Sequence, residues 1–301
     1  MDDSPAPEDS KKHVRNLKLI LSYDGADFAG WQVQPGQATI QGTLASAIGR
    51  LTGEKVLPQG SGRTDAGVHA LAQVATFPTE SPIPIENWPK ALNDVLPPAI
   101  RVLEVAEVAA DFHARKSARA KIYRYRIFRG AVCPPFLARY VWHYPFPLDE
   151  APMASAASLV VGEHDFTSFA AVDPERAERM AGAAQAHHQA EPGGSLGKTE
   201  SAETNVRTIF SSSWNRTGDE FVYTVRGSGF LHHMVRNLVG TFLLIGKGTL
   251  TSDDFRRILQ ARDRSAGGPT APPNGLYLVA VEYDGPVSSV TVEERQRKVK
   301  G

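Results

Sequence analysis

The sequence predicts an α+β protein made of two βαββαβ units in succession, on three observations. Short apolar runs with strand character are interspersed with segments whose apolar residues recur at helical spacing. Their order (strand, helix, strand, strand, helix, strand) occurs twice along the chain. A length of 301 residues suits two domains of ordinary size. The βαββαβ order is the ferredoxin-like arrangement, an antiparallel sheet with helices on one face. Two such sheets can join edge to edge into one extended, mainly antiparallel sheet with helices packed on it.

In the first unit LKLILSYD (Leu17 to Asp24) reads as a strand followed by the Gly-rich loop GADFAGWQ. TIQGTLASAIGRLTG carries an N-cap signal at Thr39, helical apolar spacing and a stop at Gly53. KVLPQGS and LAQVATFP read as two strands flanking a loop that contains Arg63, Thr64 and Asp65. IENWPKALNDVLP is a helix that tolerates Pro89 near its start, and IRVLEVAEV is the closing strand. In the second unit RAKIYRYRIF (Arg119 to Phe128) is the first strand, and LDEAPMASAASLVVG is a helix starting near Asp149. TNVRTIFSSSWNR and EFVYTVRG are two strands, FLHHMVRNLVGTFLLIGKG a long helix, TSDDFRRILQARD another, and GLYLVAVEYD the last strand.

These elements divide the chain into a disordered N-terminal tail (1–14), an N-terminal domain carrying the loop (15–114), a C-terminal domain (115–285) and a C-terminal tail (286–301). Residues 173–204, rich in Ala, Gly, His and Glu, read as a flexible insertion in the second domain. His187 and His188 within it are adjacent, which is poor geometry for two ligands of one metal ion.

The single cysteine, Cys133, excludes an intramolecular disulfide and a cysteine-based metal site, and it points to a reducing compartment. The start, MDDSPAPEDSKK, has no apolar core of a secretory signal. The longest apolar run, Leu238 to Gly246, is too short to span a bilayer. A cytoplasmic protein without a membrane association is therefore expected. Thirty-three basic and 33 acidic residues cancel, so the average charge does not announce a nucleic-acid binder. The distribution says more: Arg115, Lys116, Arg119, Lys121, Arg124, Arg126 and Arg129 form a run with no acidic residue and with Tyr123 and Tyr125 interleaved. Such a stripe either supplies phosphate contacts or guards a strand edge.

In GSGRTDAGVHA (Gly60 to Ala70) one carboxylate stands among glycines, an arginine and a histidine. A hairpin turn accounts for Asp-Ala-Gly. A reaction site accounts for Asp65 as nucleophile or general base, kept ionised by Arg63 or by an arginine from a distant helix. Arg236 in HHMVRNLVG is a basic residue on a helix with a buried face, suited to a structural ion pair or to that second role. Tyr123 reads either as a cross-strand core tyrosine or as a platform for an unpaired base.

The sequence resembles the tRNA pseudouridine synthase A family from its first strand to its last. The matching segments are YDGADFAGWQVQ, TIQGTLASAI, GSGRTDAGVHALAQVATF, FHARKSARAKIYRYRI, GEHDFTSFAA, GSGFLHHMVRNLVG and NGLYLVAVEY, in family order over roughly 16–284. The resemblance implies the pseudouridine synthase fold and isomerisation of uridine to pseudouridine at positions 38, 39 and 40 of the tRNA anticodon stem-loop. It implies a homodimer, with tRNA bound across both subunits and no cofactor. By the same resemblance Asp65 is the catalytic aspartate and Arg63 assists base positioning or flipping. Tyr123 packs against the target base, Arg236 pairs with the aspartate, and Leu276 is an apolar wall of the pocket. Arg115, Lys116, Arg119, Lys121 and Arg124 are the candidate tRNA contacts. The segment after FTSFAA departs from the pattern: it lacks a Cys-containing stretch that some relatives carry and is enlarged by the insertion.

The chemistry requires that the N1–C1′ bond break, the uracil turn in place and a C5–C1′ bond form. Asp65 has three routes open: attack at C1′, addition to C6 of the base, or removal of the C2′ proton. Tyr123 is a candidate to take the C5 proton, although a phenol with an ordinary pKa near 10 is a weak base at neutral pH. Two other readings compete, an RNA-binding module of the same fold without activity and a hydrolytic nucleosidase. A nucleosidase needs a second acidic group to activate water, and no motif supplies one.

Overall fold

The computed structural model describes residues 14–171 and 204–284. Both tails apart from Val14, and the insertion apart from Thr204, lie outside the described residues, and so do His187 and His188. Among the described residues the chain divides into two compact units, 14–118 with 283–284, and 119–171 with 204–282. Each is α+β, with helices packed on a mainly antiparallel sheet.

The first unit runs β1 (Arg15–Tyr23), α1 (Ile40–Thr52), β2 (Gln59–Gly60), β3 (His69–Thr79), α2 (Trp88–Val95) and β4 (Ile100–Val108). Its strands lie in the order β4-β1-β3-β2, the ferredoxin-like order, with antiparallel pairs throughout. Leu17, Leu19 and Leu21 alternate onto one buried face of β1, as the period-2 pattern requires. α1 buries Ile40, Leu44, Ala47 and Ile48, and α2 buries Trp88 and Leu92. Trp88 meets Phe77 of β3 edge-on at 5.7 Å. The Thr39 side chain accepts from Gly42 N, and Gly53 ends α1 at φ 75° with its amide donating to Gly49 O. β2 is shorter than the KVLPQGS strand expected. Pro58 has no amide to give a ladder, so pairing begins only after it.

The second unit contains β5 (Ala118–Phe128, whose first residue closes the first unit), α3 (Pro135–Ala138), β6 (Trp142–His143), α4 (Glu150–Ala157), β7 (Gly162–Asp165), β8 (Val206–Thr217), β9 (Glu220–Gly227), α5 (Met234–Gly246), α6 (Ser252–Ala261) and β10 (Leu276–Tyr283). Four strands repeat the order of the first unit, β10-β5-β9-β8, and β7 extends the sheet beyond β8. β6 adds a short parallel pairing to the end of β5. α4 begins near Asp149, as expected, and α6 begins at Thr251, which forms a full capping box with Asp254. α5 starts four residues later than the FLHH reading placed it, because His233 adopts φ 59°, which no right-handed helix admits. The core beneath the sheet is aromatic: Phe242 of α5 stacks on Phe255 of α6 at 5.2 Å and meets Tyr223 of β9 at 5.3 Å.

The segment Gly267–Ala271 passes directly over α5. A Cβ on Gly240 would overlap the Pro269 carbonyl oxygen, and one on Gly268 would lie 2.8 Å from Thr241 Cα. The Thr241 hydroxyl accepts from Gly268 N at 2.9 Å, so the crossing is both tight and hydrogen-bonded. Gly240→Ala is expected to lower stability by about 3 kcal/mol, the upper part of the range for overpacking. Gly53→Ala, where open space surrounds a left-handed backbone, should lose only about 1 kcal/mol. Thermal unfolding of the two variants checks the difference, and equal losses would remove the crossing as its cause.

Candidate active site

The loop 61–68 connects β2 to β3 and has no ladder of its own, so its shape rests on what it touches. Ser61 N donates to Val74 O at 2.7 Å, and Trp31 N donates to Thr64 O at 3.0 Å. The Thr64 hydroxyl lies 2.9 Å from Tyr23 Oη at the end of β1. Gly67 takes φ 78°, its amide donates to Phe28 O at 3.3 Å, and Val68 N closes the turn on Asp65 O at 3.1 Å. Two glycines of the preceding loop make the approach possible. A Cβ on Gly25 would overlap Val68 O, and one on Gly30, itself at φ 94°, would lie 2.6 Å from Thr64 O.

The result is a loop in which Thr64 is buried while its neighbours are displayed: Arg63 is exposed and Asp65 half-buried. Sequence reasoning placed both on this loop, and the structure holds them there on either side of one anchored residue. At the start of β3 the buried His69 ring sets Nδ1 3.2 Å from Asp24 Oδ1 and 3.2 Å from Gly25 N. It thereby ties the loop after β1 to the loop before β3.

Beneath the loop lies a polar network that sequence reasoning did not single out. Gln73 Nε2 donates to Gly62 O at 2.9 Å and to Tyr23 Oη at 3.4 Å, and Gln73 Oε1 accepts from Ser61 Oγ at 2.6 Å. Burial raises the Tyr23 pKa from 10.0 to about 12, with the hydrogen bonds from Thr64 and Gln73 opposing it. The phenol stays protonated in all but strongly alkaline solution. The available signal for Gln73 was a lone amide in the mostly apolar strand LAQVATF.

In the second unit Tyr123 sits in β5 opposite Val225 of β9, buried, with its ring edge-on to Phe230 at 4.9 Å. Two residues along the same strand face, Tyr125 donates its hydroxyl to Pro272 O at 2.7 Å. Burial pushes the Tyr125 pKa up, and the positive charge of Arg236 opposes that shift. Arg236 lies in the first turn of α5, where Nε donates to Ala271 O at 2.7 Å and its carbonyl accepts from Ala271 N at 3.1 Å. Leu276 opens β10, buried, directly after Gly275, which packs on the Tyr125 ring. The structure thus brings Arg236 and the segment leading to Leu276 together around Tyr125, one strand position away from Tyr123 on that face. Tyr125 and Phe230 lie beside these residues, and the motifs alone did not distinguish them from other core aromatics.

The basic run divides. Arg115, Lys116 and Arg119 are exposed, and Lys121 and Arg124 half-buried. The pleat puts Arg124 and Arg126 on the opposite face of β5 from Tyr123 and Tyr125. Arg126 makes a two-pronged pair with Glu220 at 2.7 and 2.6 Å, and the Arg129 guanidinium donates to Tyr144 O and Phe146 O at 2.6 and 2.7 Å. These two arginines are committed to partners within the unit.

A family model described as tRNA pseudouridine synthase matches residues 19–115 and 193–284. The chain belongs to the tRNA pseudouridine synthase family. Three relatives bear the name tRNA pseudouridine synthase A. The protein of Solibacter usitatus is 52% identical over 270 residues, covering 90% of this chain and 100% of the relative. That of Moorella thermoacetica is 45% identical over 269 residues (89% and 99%), and that of Brevibacillus brevis 43% over 270 (90% and 100%). The first segment matched by the tRNA pseudouridine synthase model contains the whole Asp65 loop with Gln73 and Tyr23, and the second contains Arg236 and Leu276. Tyr123 lies between the two matched segments.

The raised pKa of Tyr23 gives a pH signature. Its folded-state value is above that of the unfolded chain, so its contribution to stability is complete below pH 10.0 and is lost as pH rises toward about 12. Across that interval Tyr23→Phe should lose stability less steeply than the unsubstituted protein. The difference corresponds to one proton, about 1.4 kcal/mol per pH unit. Unfolding free energies measured at intervals between those limits test this, and identical slopes would show that Tyr23 is not buried as described.

Proposed function

We propose that this protein isomerises uridine to pseudouridine in the anticodon stem-loop of tRNA, at positions 38, 39 and 40, with Asp65 as the essential catalytic group. The observation that carries the reading is the half-buried Asp65 carboxylate, displayed by a loop whose next-door residue, Thr64, is buried and anchored through both its carbonyl and its hydroxyl. Family membership supports the reaction class and its tRNA substrate. The reaction breaks N1–C1′, turns the uracil and makes C5–C1′. The C5 proton leaves, N1 gains one, and no electrons are gained or lost. No redox cofactor is called for.

A uridine in a stem or stacked loop must first leave its stack, at a cost of a few kcal/mol. Arg63, exposed beside Asp65, assists that step. The Tyr123 ring packs against the target base, a contact of the kind worth about 1–3 kcal/mol, and its hydroxyl is the candidate acceptor for the C5 proton. Arg236 is the active-site arginine and Leu276 an apolar wall. Arg115, Lys116, Arg119, Lys121 and Arg124 contact the tRNA backbone. The protein works as a homodimer in the cytoplasm, with an N-terminal domain over 15–114 and a C-terminal domain over 115–285. Among the described residues no helix is long and apolar enough to cross a membrane.

Transcripts of tRNA tritiated at uridine C5 test the reading. The unsubstituted protein should release tritium without free uracil, and Asp65→Ala should lower the rate by about 10⁴-fold or more while still binding tRNA. Tyr123→Phe keeps the ring and loses the hydroxyl. It should slow release by about 10²-fold, the scale of a lost proton acceptor. Tight tRNA binding without any release would leave an RNA-binding module, and free uracil would mean hydrolysis.

A further inference from the structure

We infer that Gln73 is a positioning residue that sets the shape of the loop 61–68 and so the aim of Asp65, an inference that rests on the role assigned to Asp65 above. Gln73 is fully buried in β3, and every hydrogen-bonding valence of its amide is used. Nε2 donates to Gly62 O at 2.9 Å and to Tyr23 Oη at 3.4 Å. Oε1 accepts from Ser61 Oγ at 2.6 Å and from Val74 N at 3.1 Å. Two of the four partners, Ser61 and Gly62, are the residues immediately before Arg63. A third, Tyr23, is the residue bonded to the Thr64 hydroxyl. One side chain therefore holds the loop from before Arg63 directly and from before Asp65 through Tyr23.

The strand gives no reason of its own for an amide here. Ala72, Val74, Ala75 and Phe77 around it are buried and apolar, and an apolar residue of similar volume would fill the site without polar groups to satisfy. A buried polar network that is fully satisfied fixes one arrangement among several of similar packing. The arrangement fixed here is that of a loop with no ladder. Displacement of a reacting group by about 1 Å can cost about 10²-fold in rate, which is the scale on which such a residue acts.

The test compares the unsubstituted protein with Asp65→Ala, Gln73→Met and Ser61→Ala. The readouts are single-turnover tritium release from C5-labelled tRNA, tRNA affinity, and amide hydrogen exchange of peptides covering 62–66. Gln73→Met should release tritium about 10- to 100-fold more slowly, with tRNA affinity within about twofold, and should speed exchange in 62–66 but not in β1 or β4. Ser61→Ala removes one of the four bonds and should move both quantities the same way by about threefold. A Gln73→Met protein with an unchanged rate, or with rate and affinity falling together, overturns the inference. If that variant does not fold, an unchanged rate and unchanged loop exchange in Ser61→Ala overturn it instead. Absence of tritium release from the unsubstituted protein would refute the assignment of Asp65. Loop exchange would then still decide whether Gln73 holds the loop.

Discussion

Thr64 is buried between two displayed residues, and both of its oxygens are committed, the carbonyl to Trp31 N and the hydroxyl to Tyr23. A connecting segment ordinarily lies on the surface, because a buried one carries backbone groups that are hard to satisfy. Here the satisfaction comes from outside the segment: from the end of β1, from Gln73 in β3, and from the loop between β1 and α1. Each of those elements is in place for its own reasons of burial and ladder pairing. The loop inherits their rigidity without having secondary structure. That is why glycine at 25 and 30 matters more than glycine at 36 or 53. The first two stand where backbones meet, and the other two face open space.

The second unit solves a similar problem with a helix. Arg236 occupies the first turn of α5, where backbone groups lack intrahelical partners and fraying is easiest. The segment across Gly240 prevents that fraying. Ala271 brackets Arg236 through its amide and carbonyl. Asn237, fully buried, donates to Phe169 O at 2.7 Å and accepts from Thr270 Oγ1 at 2.7 Å. The helix start is thus gripped from both flanks by side-chain and backbone hydrogen bonds. The left-handed His233 turns the chain into the helix at the point where this grip begins.

Much of this was legible in the sequence where a signal is local. The start of α1 at Thr39, its stop at Gly53 and the start of α4 near Asp149 depend on a residue and its near neighbours, and all three ends fall there. The strand EFVYTVRG alternates cleanly and appears with the same bounds. The Arg63–Asp65 loop was legible from its composition, and it lies between β2 and β3 as expected. What was not legible depends on partners far along the chain. β7 is four residues of GEHD that pair with β8 more than forty positions later, and nothing in their own pattern marks a strand. The apolar spacing of FLHHMVRNLVG runs on past the true start of α5, since spacing does not report the φ of His233. Gln73 could be noticed as an amide among apolar residues, but its partners at Gly62, Ser61 and Tyr23 become visible only when β1 and β3 are paired.

The charge pattern shows the same dependence on pairing. Read along the chain, seven basic residues with two tyrosines between them look like one interleaved surface. The pleat instead sorts them. Tyr123 and Tyr125 share a face on which the Tyr123 ring meets Phe230, in the loop before α5, and the Tyr125 hydroxyl donates to Pro272 O in the segment before β10, while Arg124 and Arg126 point the other way. On that other face Arg126 meets Glu220, the residue directly after the turn that joins β8 to β9. Arg129 is spent on the carbonyls of 144 and 146, fixing the entry to α4. A linear count of seven therefore overstates the charge available to a phosphate backbone by at least these two. Of the other basic residues in β5, Arg119, Lys121 and Arg124 lie nearer its start than Arg126 does, and they flank Tyr123 along the strand.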